Sequence, residues 1–550
     1  MSLKYYGIYI AYPPTVNLQA EGLGRHLAAF LRAAIKREDV RFVVACPSWS
    51  RKTLFDLCEN EGIDTESFDI ESPPGQPVAL TVYEAYLAYR NRPKVAGLFK
   101  RGILRLLSYA YKHRLWLEEK VACARSAFVF LPVAIYLFII SIIALPFALA
   151  GGVVFFIKQI NPYIKERIRQ SNNISALLDK YHTLTDQPKE NRFAIKLYRF
   201  MAEREANLLV SRINELAHVS AWYSPAAFWP AFNDIAVPRL MCVPDVVLTD
   251  FPVGFSAVSG NRTLDDFKAV EEAIFGCNHF VTYSQQVKQG TLVDRYFVSP
   301  DAVQVIHHAP NTLDNWLTIS GFSNGVAATE SYCHWLLSCA IHKSFNTEYT
   351  EGFLNKSVKF LFYASQFRPN KNVINLLRAY EYLLKTRFVG HKLILTGNPH
   401  VLPEVWEFIK SHKLENDVLC LHGLTISELA ACYKLSELAI NPSLSEGGCP
   451  FTFTEALSVG TPVVMSRLPV TMEILDDSHL DELMFFDPYD WRDMANRIEW
   501  GINNKEALLK AQIPVFSRLA QRTWDDVVQE YLLILDRISG PTITATKIAN

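Results

Sequence analysis

Asn441-Pro-Ser-Leu-Ser-Glu446-Gly447-Gly448-Cys449-Pro450-Phe-Thr-Phe-Thr454-Glu455-Ala-Leu-Ser-Val-Gly460-Thr-Pro462-Val-Val464 is the stretch whose reading decides the fold. Leu438-Ala-Ile, just before it, reads as a buried strand, the glycine pair as a loop, and the residues from near Pro450 as a helix. Adjacent glycines before a helix start let the backbone approach a ligand closely and aim N–H groups at it. Glu446 at the mouth of the loop and Glu455 on the helix can each accept hydrogen bonds from hydroxyls. Acceptors for hydroxyls beside donors for phosphate suit a nucleotide-sugar. An ordinary strand–turn–helix with surface glutamates is the competing reading.

Outward from that stretch, the same grammar repeats. Tyr6-Gly-Ile-Tyr-Ile-Ala is a short apolar run fit for a central parallel strand, and Val40-Arg-Phe-Val-Val-Ala-Cys46 is the next. Between them Gly22, Gly24, Arg25 and His26 open a helical pattern; strand, glycine turn and helix suit phosphate binding, although a lone G-x-G is a weak signal. His218 to Trp222, Arg239 to Pro244, His279 to Ser284 and Gln304 to Asn311 read as further strands ending at loops. In open α/β sheets ligands sit beyond the carboxyl ends of strands, which makes Ser224, Pro244 and Asp245 candidate cleft residues. Farther on, Val358 to Ser365 leads into Arg368-Pro-Asn-Lys371 and a helix from Val373. His391 to Gly397 and Val418 to Gly423 are two more strands with glycine ends, and Ser427 reads as the N-cap of the helix that follows. The class is α/β.

A chain of 550 residues can hold two or three domains. A net charge of -1 gives no basic field that argues for nucleic acid. The ten cysteines form no C-x-x-C pair, which favours buried thiols in a reducing compartment over disulfides or a zinc site. The N-terminus lacks a signal-peptide layout. No Asp-x-Asp occurs, so no carboxylate clamp for Mg or Mn is evident, and metal-independent chemistry without a cofactor is expected.

From Tyr83 to Ser126 basic residues, Arg90 to Arg125, interleave with apolar ones at roughly helical spacing, a surface fit for anionic head groups. Ala127 to Ile157 then carries no charge. Roughly 20 apolar residues already span a bilayer; as one straight helix this run would be about 46 Å long. Pro146 and Gly151-Gly152 offer places to bend, and Arg125 and Lys158 flank the two ends. If the chain before and after builds one domain, both flanks lie on one side of a membrane. A re-entrant hairpin is therefore expected, with a buried hydrophobic subdomain or partner-binding surface, or two crossings, as the other readings.

The stretch at 441–464 resembles the donor-site signature of the retaining family 4 glycosyltransferases of the GT-B fold: a Pro-Ser strand end, Glu-Gly plus small residues, a second Glu followed by Ala, then Gly-x-Pro-Val-Val. It has one residue more between its glutamates than that pattern, with Cys449 or a neighbour as the insertion. Gly22-Leu-Gly-Arg-His is similar to the family's Gly-Ile-Gly-Arg-Tyr, Arg368-x-x-Lys371 matches its Arg-x-x-Lys, and Pro244 stands where many relatives carry the histidine of a His-Asp pair. The resemblance implies two Rossmann-like doubly wound domains facing a cleft, here with a hydrophobic helical hairpin insertion. The expected layout is 1–82 and 172–311 for the N-terminal acceptor-side domain, 83–171 for the basic helix and apolar insertion, and 312–356 for an interdomain insertion. The donor-binding domain is expected over 357–512, and 513–550 as a helix crossing back, with a tail.

By that resemblance Arg368 and Lys371 stabilise a departing diphosphate, Glu446 holds sugar hydroxyls, Glu455 accepts the ribose hydroxyls, and the Gly447-Gly448 N–H groups orient the sugar or phosphate. Asp245 is the nearest polar group on the acceptor side, set against a plain turn-capping role. Gly397, Gly423 and Leu424 hold the base through backbone groups, Thr454 lies in the donor site, and Gly22, Gly24, Arg25 and His26 face the cleft. The implied function is a retaining hexosyltransferase that uses a nucleoside diphosphate sugar, GDP-mannose first and a UDP-sugar next. The acceptor is a membrane or polyprenyl-linked glycan, and the expected location is the cytoplasmic face of the inner membrane, held peripherally or monotopically through 127–157. A non-catalytic GT-B scaffold in a glycan assembly complex is the alternative; an epimerase or phosphorylase would leave the insert unexplained.

Overall fold

In this computed structural model the described residues are 3–82, apart from 15, 17 and 19–21, and 192–540, apart from 260–261, 346–349, 351–352 and 354–357; between these lie only 85, 113, 116–117, 131–133, 135–136 and 138–139. Two parallel sheets dominate. The first runs β3-β2-β1-β4-β5-β6-β7, built from β1 (Lys4–Tyr9), β2 (Val40–Ala45), β3 (Asp69–Glu71), β4 (Val219–Ser224), β5 (Arg239–Cys242), β6 (Phe280–Thr282) and β7 (Val303–Val305). The second runs β10-β9-β8-β11-β12-β13, from β8 (Phe360–Ala364), β9 (Lys392–Thr396), β10 (Val418–Leu421), β11 (Leu438–Asn441), β12 (Val463–Ser466) and β13 (Phe485–Phe486). Each order turns back on itself once, at β1/β4 and at β8/β11, the doubly wound arrangement that opens a crevice at the switch point.

The strands read as unbroken apolar runs because helices cover both faces of a parallel sheet. Central strands are buried from end to end, as Leu438-Ala-Ile-Asn441 and Val463-Val-Met-Ser466 show. β1 pairs with β2 from Lys4↔Val40 to Tyr9↔Ala45. Gly7 on β1 is required by its neighbour, since a Cβ there would lie 2.1 Å from the indole of Trp222 on β4.

The helix Trp524–Ser539 belongs to the first sheet's core. Val527, Val528, Tyr531 and Leu535 are buried among residues of β1, β2 and β4, and Tyr531 packs edge-on to Phe30 and Tyr223. Lys4 Nζ meets Asp536 Oδ1 at 2.7 Å, and the Tyr6 hydroxyl donates to the same oxygen. The segment expected as an interdomain insertion, 312–356, instead joins the second sheet's core. Leu313, Leu317, Cys333, Leu336, Leu337, Ala340 and Ile341 are buried there, most of them on the helix Gly325–Ile341. Just after that helix, Ser344 forms an antiparallel bridge with Leu421, and Phe345 N donates to Cys420 O at 2.9 Å, so this segment lies along the outer strand β10.

Residues 76–201 form a separate compact unit. Most of it, including the basic stretch and the greater part of 127–157, lies outside the described residues. The positions that are described around 131–139 are helical, and Leu131, Ile135, Tyr136, Phe138 and Ile139 are all exposed. Among the described residues no helix is long and apolar enough to cross a membrane.

Candidate active site at the domain joint

The loops after β8 and β11 lie at the switch point of the second sheet, and they carry the charges. The loop after β8 reaches Arg368, then Pro369–Lys371 makes a single turn of 3-10 helix, and Asn372 takes a left-handed conformation (φ 54°) before the helix Val373–Lys385. That turn presents Lys371 to the loop after β11: its Nζ lies 3.0 Å from Glu446 Oε1 and 3.5 Å from Ser443 Oγ. Asn441 closes the ring, with Nδ2 3.4 Å from Glu446 Oε1 and Oδ1 accepting from Ser443 Oγ at 2.7 Å. Leu444 N donates to Asn370 O at 2.8 Å, which ties the two loops together by their backbones.

The first sheet supplies the fourth charged group. Pro244-Asp245 follows β5, and the Asp245 carboxyl feels Lys371, Glu446 and Arg368. Burial raises it above the ordinary aspartate value, with Lys371 and Arg368 pulling the other way and Glu446 adding to the rise. Burial works against the charge on Lys371, but Glu446, and after it Tyr363 and Asp245, hold its ammonium above the usual lysine value. Arg368 is exposed at the rim, where Pro369 packs under Gly254 of the helix Pro252–Ser259; a Cβ on that glycine would be 2.8 Å from Pro369 Cβ. The structure thus gathers Asp245, Arg368, Lys371 and Glu446 in one place. Two cations next to two carboxyls, at the ends of parallel strands, can hold a doubly charged phosphate group and the hydroxyls of its substituent.

The glycine pair also packs against the first domain. Gly447 and Gly448 are both buried against the first domain. A Cβ at Gly447 would lie 2.0 Å from Pro244 O, and one at Gly448 would lie 2.9 Å from Tyr283 Cβ and 3.0 Å from His308 Nε2. Ser284 Oγ donates to Gly447 O at 3.1 Å. The pair is one of the points where the two domains meet. Cys449, in the lengthened loop, is half-buried, and burial pushes its thiol up to about 12, which keeps it neutral.

Glu455 lies in the first turns of the helix Phe451–Ser458, which starts where the proline predicted it, with Pro450 as N-cap. Its carboxylate is only 1% exposed and faces the first domain: Oε1 is 2.5 Å from Arg25 Nη1 and 3.0 Å from Asn311 Nδ2. Thr454 Oγ1 accepts from Asn311 N at 3.2 Å, and Ser458 Oγ from Leu313 N at 2.9 Å. Arg25 also lies over the Phe451 ring, 5.7 Å from its centroid.

Gly22 and Gly24 lie within the first turn of the helix Gly22–Ala34, where a Cβ on Gly24 would sit 1.8 Å from Leu18 O. His26, expected to face the cleft, is 4% exposed in the first domain's core, 3.1 Å from the Tyr283 hydroxyl and edge-on to Trp524. Burial lowers it to about 3, and lowers His308 to about 4. Gly397 packs on Phe367, whose ring a Cβ would meet at 2.3 Å. Gly423 is left-handed (φ 58°), and its carbonyl accepts from Lys343 Nζ at 3.1 Å, with Leu424 beside it. The N-cap of the following helix, Ile426–Leu435, is Thr425 and not Ser427; Thr425 and Glu428 form a capping box, which the T-x-x-E spacing spells out.

Sequence reasoning overlooked Asn311 and Glu473 as parts of the joint. Glu473, on the helix Pro469–Leu475, accepts from Gln285 N at 2.7 Å and Gln286 N at 2.9 Å in the first domain. Nothing local marks Asn311. Pro469 to Glu473 resembles a landmark of the family named above, but nothing local says that Glu473 reaches the other domain.

Residues 346–513 match the family described as Glycosyl transferases group 1. Over 120 residues, 22% of this chain and 31% of the relative, the sequence is 30% identical to the O-antigen chain mannosyltransferase B of Escherichia coli. Over 185 residues, 31% of this chain and 46% of the relative, it is 26% identical to the lipopolysaccharide 1,2-N-acetylglucosaminetransferase of Salmonella typhimurium. The matches thus span less than half the length of these curated relatives. A glycosyltransferase structure from Rickettsia africae superposes with a TM-score of 0.52 over 98% of this chain and 100% of that one, at 12% identity, a likeness of fold alone. Residues 346–513 therefore constitute a group 1 glycosyltransferase domain, within a GT-B-like pair of parallel sheets.

Proposed function

We propose that the chain is a retaining hexosyltransferase of the family 4 type that moves a sugar from a nucleoside diphosphate donor to a glycan acceptor in cell-surface polysaccharide synthesis. The observation that carries it is the convergence of Asp245 from one sheet with Arg368, Lys371 and Glu446 from the other. In the reaction the bond from the anomeric carbon to the diphosphate breaks, and negative charge grows on the departing phosphate oxygen. Lys371 and Arg368 stabilise that charge, a task fixed positive charges do best where it develops. Glu446, held by Lys371 and Asn441, accepts hydroxyls of the sugar. The acceptor oxygen bonds to the anomeric carbon on the face the phosphate leaves, and its proton passes to a phosphate oxygen. No enzyme nucleophile and no metal are needed in this scheme.

Mannose from GDP-mannose is the first choice of donor, in keeping with the mannosyltransferase name of one relative; the N-acetylglucosaminetransferase name of the other makes a UDP-sugar the second. Both names concern lipopolysaccharide or O-antigen, which supports a lipid-linked glycan acceptor. Membrane attachment through 127–157 at the cytoplasmic face fits the exposed Leu131, Ile135, Phe138 and Ile139, an apolar face at i, i+4, i+7 and i+8. The deciding assay is donor hydrolysis or transfer with a panel of GDP- and UDP-sugars, with Lys371→Ala as control. Turnover of one donor that is lost in the control supports the enzyme; no turnover of any supports a non-catalytic scaffold.

A further inference from the structure

Lys371 and Glu446 stand on a buried rank of neutral polar groups. Tyr363, Asn441 and Ser443 are buried, whereas the side chains of Lys371 and Glu446 are 20% and 16% exposed. Tyr363 lies on β8, Asn441 ends β11 and Ser443 follows it, so the rank sits where these two strands run side by side. Whatever the three do for a ligand, they do through Lys371 and Glu446. The hydrogen bonds between them have a direction that can be worked out. A backbone N–H can only donate, and Ser443 N lies 3.2 Å from Asn441 Oδ1; that atom is therefore the amide oxygen, and the NH2 faces Glu446. The Ser443 hydroxyl, 2.7 Å from the same oxygen, gives its one proton to it. Ser443 Oγ is then an acceptor, for Lys371 Nζ at 3.5 Å and for the Tyr363 hydroxyl at 3.4 Å.

Both protein donors to Glu446, Lys371 Nζ at 3.0 Å and Asn441 Nδ2 at 3.4 Å, fall on Oε1. Among the described residues no donor meets Oε2. Resting on the donor-site reading above, we infer that Asn441, oriented by Ser443, is a positioning residue for the reaction. It ties Oε1 of Glu446 to the protein and leaves Oε2 as the oxygen that receives a ligand hydroxyl. The amide is suited to this because it donates without carrying charge. An aspartate in its place has the same shape but no N–H. Ionised, it sets a second negative oxygen against Oε1; protonated, it donates as the amide does. Two carboxyls this close keep one proton between them to a higher pH than either would alone. Asn441→Asp therefore positions Glu446 only while it holds that proton.

The other charged and titratable groups around the pair are Lys371 and Arg368 after β8, Tyr363 on β8, Asp245 from the first sheet, and Cys449. The parent carries all of them, so the ratio of variant to parent isolates the new carboxyl. The test is hydrolysis of GDP-mannose, UDP-glucose and UDP-N-acetylglucosamine by the full chain, read as kcat/KM from pH 5 to pH 8. The parent, Asn441→Asp, Asn441→Ala and Lys371→Ala are compared. Asn441→Ala should fall about tenfold at every pH, since it removes the donor and adds no proton site. Asn441→Asp should come within about threefold of the parent at pH 5 and fall at least about tenfold further by pH 8. A pH-independent ratio of Asn441→Asp to the parent, or the same slope in Asn441→Ala, overturns the inference. If the parent hydrolyses none of the three donors, or does so no faster than Lys371→Ala, the donor-site reading fails and the inference fails with it.

Discussion

A side chain at Gly447 would place its Cβ 2.0 Å from the carbonyl oxygen of Pro244. The backbone of the loop after β11 thus rests directly on the backbone of the opposite domain. A clash against a main-chain oxygen cannot be relieved by turning a rotamer, so Gly447→Ala must push the loop off Pro244-Asp245. Forced overpacking of this sort costs typically about 1–3 kcal/mol. We expect Gly447→Ala to remain folded by circular dichroism, to melt lower, and to lose transfer activity at least about tenfold. Activity close to the parent's would show that the loop and Asp245 need not meet.

Lys371 faces Glu446, Ser443 and Asp245 at once. On the proposed mechanism Lys371→Ala removes charge stabilisation where the diphosphate departs, and kcat should fall about 10²–10³-fold, the usual effect of losing one such group. Lys371→Arg keeps the charge but not the fit, and should fall between. A KM that rises while kcat holds would make Lys371 a binding group alone.

Acid should loosen the joint. Burial holds His26 at about 3 and His308 at about 4, whereas the unfolded chain takes up protons on both near about 6.5. Above that pH both are neutral in both states and their contribution is intact. As pH falls below it the unfolded state binds more protons, and stability drops by up to about 1.4 kcal/mol per pH unit for each histidine. The decline levels off near pH 4 for His308 and near 3 for His26, where the folded form is protonated too. Urea unfolding at pH 7 and pH 5 measures this, and His308→Phe should remove about half of the difference. An equal loss in that variant would place the acid sensitivity elsewhere.

Glu473 caps Gln285 and Gln286 from the other domain. Glu473→Ala leaves two backbone donors to water, and the cost should be about 1 kcal/mol. Glu473→Gln, with one carbonyl acceptor left, should recover part of it. Because the contact is between domains, limited proteolysis near Gln285 should quicken in Glu473→Ala.

For the apolar insertion, flotation with anionic liposomes before and after deletion of 127–157 is decisive. The parent should float and the deletion variant should stay with the pellet fraction while keeping its melting temperature. Equal flotation of both would end the membrane role of this segment.

Much of this architecture was legible in the sequence because parallel strands are locally explicit: Val358 to Ser365, Val418 to Leu421 and Leu438 to Asn441 are apolar without alternation, and glycines or prolines stop them. Lys371 and Glu446 were legible for the same reason, as both follow strand ends. The joint was not. Arg25 and Glu455 are 430 residues apart and no local period couples them. Nor does a sequence say what a glycine must avoid; added Cβ atoms at Gly447 and Gly448 would meet Pro244, Tyr283 and His308. The helix Gly325–Ile341 could have been found, since Cys333, Leu336-Leu337 and Ala340-Ile341 repeat at helical spacing.

The bridge between Ser344 and Leu421 also decides how this protein can be cut. β10 is the last strand on its side of the second sheet, and residues just upstream of the family match cover its free flank. Trimming the chain at residue 346 would strip that cover and bare a row of unmet main-chain groups ready to zip onto another molecule. A second domain excised with its own 344–345 strap should stay monodisperse, and one cut at the family boundary should clump.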